Sequence, residues 1–220
     1  LVNREEYQEA DEWIVSVVNH LDLPHTYSIR EFLHLMGREL SEIAHEDGLL
    51  TSSYKARIPV FCPDLPGSQM AIGLARIKFE KKINISFDLT QDKIEMMQIA
   101  QKKRNSGIIT LGSTGSQSMV NVAEIASYIT RTNVRGNKYA ISISTESAPL
   151  DMRTPSYGGN HTSQFGKRGK GATTAYVPCD PSIALPMIIT ALSQTAAKFM
   201  KGRKRPNFSF GGRELVIDVP

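Results

Sequence analysis

Ser106-Gly107-Ile108-Ile109-Thr110-Leu111-Gly112-Ser113-Thr114-Gly115-Ser116, residues 106–116, decides the fold. Its first half is an uncharged, β-branched run that reads as a buried strand, and its second half is a turn of small residues. A helical pattern follows over 116–131. Outward from this stretch the alternation recurs. Short β-rich runs at 58–62, 83–87, 139–144 and 173–177 are separated by helix-forming stretches at 69–79, 90–104 and 181–201.

Strands alternating with helices in this way predict an α/β fold: a Rossmann-like, doubly wound, mostly parallel sheet with helices on both faces. Upstream, residues 4–21 place Tyr7, Trp13, Ile14, Val17, Val18 and Leu21 at helical spacing, and Ser28-Ile29-Arg30-Glu31 has the form of a capping box. The expected organisation is a helical segment over 1–50, an α/β core over 51–201, and a basic linker with a short strand over 202–220.

In a parallel sheet the ligand sits beyond the carboxyl ends of the strands. The loops that matter are therefore 63–71, 112–118, 145–171 and 179–182. The turn at Gly112 to Ser116 would let backbone amides approach a phosphate at a helix N-terminus, although small residues are also common in any such turn. Asp180-Pro181-Ser182 has two readings: Pro181 suits a first helical position, making Asp180 an N-cap, and a carboxylate at a strand end also suits a ribose hydroxyl. The loop 145–171 is far longer than an ordinary connection and carries Gln164-Phe165-Gly166-Lys167-Arg168-Gly169-Lys170-Gly171. A lysine bracketed by glycines next to a buried strand can be desolvated and act as an amine nucleophile, and it can equally be one cation of a solvated basic loop.

The 220 residues are 40% hydrophobic and 22% charged, which suits a globular chain with a proper core. Cys62 and Cys179 each sit in an apolar run, as reduced thiols of a cytoplasmic protein would. His20, His25, His34, His45 and His161 show no ligand spacing, so no metal is expected. No apolar stretch reads as long enough for a membrane span, and the net charge of +4 is concentrated in Lys201-Gly202-Arg203-Lys204-Arg205. Neither a membrane nor a nucleic-acid partner is expected. The chain starts at Leu1 without a methionine, so a longer or processed protein is expected.

Taken in order, five segments resemble deoxyhypusine synthase. Ile58-Pro59-Val60-Phe61-Cys62-Pro63 is similar to that family's I-P-V-F-x-P, and Gly107 to Gly112 to its strand and glycine turn. Tyr139-Ala140-Ile141-Ser142-Ile143-Ser144-Thr145 resembles D-Y-A-V-x-I-x-T without its aspartate, Phe165-Gly166-Lys167 falls on W-G-K, and Asp180 on the aspartate of the following helix start. The resemblance implies an enzyme that uses NAD to oxidise spermidine, carries the aminobutyl group as an imine on Lys167, and transfers it to a lysine of a translation-factor precursor. It places Gly112, Ser113, Ser144, Thr145 and Asp180 against NAD, and Phe165 and His161 beside the substrate. It also implies a tetramer, formed with itself or with a paralogue, whose sites lie between paired subunits.

Several positions depart from the pattern. The family's K-H-H after the glycine turn is absent from Gly115-Ser116-Gln117-Ser118-Met119, and the tryptophan of W-G-K is Phe165, a weaker partner for an ammonium group. The acidic turn x-L-T-D-G-S reads Asp64-Leu65-Pro66-Gly67-Ser68, without the motif's own aspartate, and the glutamate before W-G-K is His161 or Thr162. These losses point to a subunit that activates a catalytic paralogue. An active synthase, or an unrelated α/β binding module, are the alternatives.

Overall fold

The computed structural model describes residues 3–22, 25–103, 105–112, 129–131, 134, 137–145, 173–210 and 215–219. Two compact units emerge: Leu1–Glu95 with Phe208–Val216, and Met96–Asn207 with Ile217–Pro220.

The first unit is mainly helical: α1 (Arg4–Asn19), β1 (Thr26–Tyr27), α2 (Ile29–Ile43), α3 (Leu49–Ala56), α4 (Gln69–Lys81), β2 (Ser86–Phe87) and the start of α5 (Leu89–Lys102). Apolar residues at helical spacing set its core. Ile29, Phe32, Leu33 and Met36 make one stripe of α2, and Phe32 and Met36 join Ile14, Val17 and Val18 of α1, Tyr27 of β1 and Ile77 of α4. Two glycines allow close helix approach: an added Cβ at Gly37 would lie 2.7 Å from the Leu50 carbonyl oxygen, and at Gly73 3.3 Å from Ile14.

Helix α2 begins where the sequence places it, but only half of the capping box forms. Ser28 Oγ accepts the Glu31 N–H at 3.0 Å, while the Glu31 carboxylate faces His25 Nε2 at 3.4 Å. The next donors are satisfied from α5: Ile29 N–H and Arg30 N–H donate to the Asp92 carboxylate at 3.1 and 3.0 Å. Burial pushes the Asp92 carboxyl above its ordinary pKa, and those two N–H groups pull it back. Arg30 then donates through Nε and Nη2 to Glu95, both at 2.7 Å, with the two side chains 1% and 0% exposed.

Two strand expectations need correction here. Residues 58–62 form no strand. Pro59 and Pro63 lack the N–H that a ladder needs, and Val60 and Cys62 instead pack on the Ile29, Leu33 and Leu65 cluster, so the apolar pattern records burial alone. In 83–87 only Ser86–Phe87 is a strand, and it pairs in parallel with β1, which no pattern in the sequence marks.

The second unit holds the sheet expected from residues 106–116. β3 (Gly107–Leu111), β4 (Tyr139–Ser144) and β5 (Thr173–Pro178) are parallel, in that order, and α6 (Pro181–Met200) follows. Central β4 is the most covered strand, with Ala140 and Ile143 buried. At the amino ends of the strands, Asn137 Oδ1 accepts from Ser106 Oγ at 2.7 Å and Lys103 Nζ at 3.0 Å. Parallel sheets and helices together make an α/β, Rossmann-like fold. The helix expected over 116–131 falls mostly outside the described residues, which show helix at 129–130. β6 (Asn207–Ser209) and β7 (Val216–Asp218) close the chain.

Helix α6 also corrects the expectation about membrane spans. It is uncharged from Pro181 to Ala197, and by length and composition alone it is long and apolar enough to cross a membrane. Its Ser, Thr and Gln residues interrupt the apolar run and mask that property in the sequence.

Candidate functional site at the carboxyl edge of the sheet

The three parallel strands deliver their ends to one edge by register. Leu111 pairs with Ile143, and Ser144 with Pro178, so Gly112, Thr145 and Cys179 are the first residues beyond the ladder. Gly112 N–H donates to the Ile143 carbonyl at 2.9 Å. The backbone then turns at Gly112 with φ of 78°, a conformation that favours glycine, and an added Cβ would meet nothing within 4 Å. The turn thus favours glycine, and no described residue crowds the position.

Ser144 is buried and Thr145 exposed. The Ser144 carbonyl is held twice: it accepts from Cys179 N–H at 3.2 Å and from the Tyr176 hydroxyl at 3.2 Å. Tyr176 read as one more apolar strand residue in the sequence. Its signal was available, since a half-buried tyrosine ordinarily finds a partner for its hydroxyl and the nearest ones lie across the ladder.

Asp180 is exposed and acts as the N-cap of α6, with Pro181 at the first helical position. Its Oδ1 accepts from Ser182 N–H at 2.8 Å and from Ser182 Oγ at 2.7 Å. Those hydrogen bonds, the side-chain one foremost, hold its carboxyl below the ordinary aspartate range, so it is anionic at neutral pH. Among the described residues Oδ2 has no hydrogen-bond partner. The capping and ligand readings of Asp180 are therefore compatible, one oxygen for each.

Gly112, Ser144, Thr145 and Asp180 are brought to this one edge, as the parallel register requires. Ser113, His161, Phe165 and Lys167 lie outside the described residues. Cys62 and Cys179 are free thiols, both half-buried.

Comparison with known proteins decides the family. The sequence profile described as deoxyhypusine synthase matches residues 1–192. This chain belongs to the deoxyhypusine synthase family. It is 30% identical to "Probable deoxyhypusine synthase 2" of Methanosarcina mazei over 96% of this chain and 60% of that protein. The protein of the same name from Methanosarcina acetivorans is 29% identical over 97% of this chain and 61% of that one. The chain thus spans about three fifths of the length of these curated relatives. Among solved structures, the "Crystal Structure of a putative deoxyhypusine synthase from Entamoeba histolytica" superposes with a TM-score of 0.60 at 16% identity, covering 90% of this chain and 56% of that one. That likeness shows the deoxyhypusine synthase fold.

Proposed function

We propose that this chain is part of a deoxyhypusine synthase-like subunit that keeps a dinucleotide groove and acts with a more typical paralogue in a mixed tetramer. The assembly would modify a translation-factor precursor with the aminobutyl group of spermidine. The observation that carries the reading is the Asp180 carboxylate, anionic and with Oδ2 unpartnered among the described residues, at the same sheet edge as the Gly112 turn.

These residues suit NAD. A ribose hydroxyl needs an acceptor such as Oδ2, and a diphosphate needs backbone unobstructed by a Cβ, which Gly112 supplies. NAD, when bound, would supply the hydride acceptor for amine oxidation. Ser144 and Thr145 would flank it at the end of β4, with the Ser144 backbone fixed by Tyr176 and Cys179. Lys167, by the family resemblance, would be the amine that takes the aminobutyl group, and Phe165 would pack on its chain.

The impairment follows from charge. Spermidine carries several ammonium groups at neutral pH, and a buried cation left without a carboxylate costs several kcal/mol even after relaxation. By the resemblance, Asp64-Leu65-Pro66-Gly67-Ser68 and His161-Thr162 stand where the family has its aspartate and glutamate; the carboxylate left in the first turn, Asp64, accepts Gly67 N–H at 3.1 Å. A site lacking both holds polyamine poorly, and a paralogue that retains them would complete it. The alternative of a self-sufficient synthase draws on the retained Lys167.

Asp180→Asn tests the groove. Asparagine caps a helix about as well as aspartate, so the melting temperature should hold while NAD affinity, measured by calorimetry on the mixed assembly, falls about tenfold. Unchanged affinity would refute the groove. Borohydride trapping with spermidine and NAD, read by mass spectrometry, tests the division of labour. Robust trapping on Lys167 in the chain purified alone would overturn the impaired-subunit reading.

A further inference from the structure

A second concavity lies wholly within the first unit, and none of the residues used above for the proposed function lines it. It has a volume of about 490 Å³ and is lined by His34 of α2, Tyr54, Lys55 and Arg57 at the end of α3, and Phe208, Ser209 and Phe210 of the C-terminal segment. The family profile ends at residue 192, so one wall of this pocket is built from sequence beyond the family match.

That wall is fixed in place. The His34 ring stacks on Phe210 with centroids 4.1 Å apart and planes 16° apart, and the buried Arg30 guanidinium sits 5.6 Å from the same phenyl centroid. His34 also packs against Tyr54 at 5.0 Å. Rings therefore supply flat apolar surface, and the volume is in the range of small-molecule pockets.

The polar groups point to the sign of the ligand. Among the described residues the lining contains Lys55 and Arg57 and no carboxylate. Lys55 is committed to Asp47 at 2.6 Å, whereas the Arg57 guanidinium has no partner among the described residues, and neither has the Tyr54 hydroxyl or Ser209 Oγ. Arg57 is exposed and stands at the C-cap of α3 with φ of 53°, the left-handed position that glycine normally takes at a helix end. Keeping a β-carbon there costs backbone strain, as it also does at Lys82 and Arg131. A guanidinium fork matches a carboxylate or phosphate in two parallel hydrogen bonds.

We propose that this pocket binds a small ligand with a flat ring and one phosphate or carboxylate, the anion on Arg57 with the Tyr54 and Ser209 hydroxyls beside it and the ring against Phe208 and Phe210. This inference goes beyond the proposed function and stands without it.

The test is an NMR titration of the full 220-residue chain with phenyl phosphate and with 2-naphthoate, following the His34 imidazole and the phenylalanine rings. Saturable shifts are expected with at least one probe, and the stronger of the two tells phosphate from carboxylate recognition. Inorganic phosphate alone should bind at least tenfold more weakly. Arg57→Gly should weaken the better probe at least tenfold while the melting temperature stays level or rises, because glycine relieves the left-handed strain. Tyr54→Phe should weaken it about threefold. No saturable shift with either probe, equal binding of inorganic phosphate, or wild-type affinity in Arg57→Gly would each overturn the proposal.

Discussion

His34 is where residue-scale chemistry is most exposed to pH. Burial first, then the nearby cations of Arg30 and Arg38, hold its imidazole below the ordinary value of 6.5. The unfolded chain therefore takes up a proton that the folded chain refuses, and stability falls as pH drops below about 6.5. Urea midpoints at pH 7.5 and 5.5 should fall further for the wild type than for His34→Phe, which keeps a ring on Phe210. Equal falls would show that His34 does not set the dependence. The Arg30 and Glu95 pair makes a second residue-scale prediction. Glu95→Gln leaves a guanidinium buried without its counter-charge and should cost about 3 to 5 kcal/mol. Arg30→Met combined with Glu95→Leu should cost clearly less than the sum of the single changes, as a double-mutant cycle would measure.

Among the elements, helix contacts depend on what glycine leaves out. Gly37→Ala forces its new methyl against the Leu50 carbonyl, so α2 and α3 must separate, at about 1 to 3 kcal/mol by chemical denaturation. Gly48→Ala meets nothing within 4 Å, so its cost should be that of a poorer N-cap for α3 alone, about 0.5 to 1 kcal/mol. The strands at 107–111 and 139–144 were legible because an uncharged β-branched run bounded by turn residues has few other ways to be buried. Residues 58–62 carry the same apolar signal, but the fate of Val60 and Cys62 is set by a helical cluster distant in sequence. Thr26–Tyr27 is too short to show any periodicity. Asp180 was legible as a cap from Pro181 and Ser182, whereas its spare oxygen needed coordinates. The pocket at Arg57 was not legible at all, since residues 34, 54–57 and 208–210 meet only in three dimensions.

For the whole molecule, the family fold is present in a chain that spans about three fifths of its curated relatives. Helix α6 carries Ile183, Met187, Leu192 and Phe199 at 50 to 69% exposure, more apolar surface than a lone helix face ordinarily shows to water. If the proposed tetramer forms, part of that surface is covered in it. Met187→Glu should then move the assembly to smaller species in light scattering while helix content by circular dichroism stays the same. An unchanged mass would place Met187 outside any subunit contact.

The fastening of α2 to α5 bears on the order in which the polypeptide can mature. The N–H groups of Ile29 and Arg30 and the guanidinium of Arg30 find their acceptors 62 to 65 residues later, at Asp92 and Glu95. As the chain leaves the ribosome, α2 emerges well before α5, and until then its first turn has only Ser28 as a cap and its cation has only water. Loop closure on that scale is entropically costly and slow compared with helix formation. The first unit should therefore gain protection from hydrogen exchange late, once α5 is available, and α1 with α2 alone should remain a loosely ordered nascent pair.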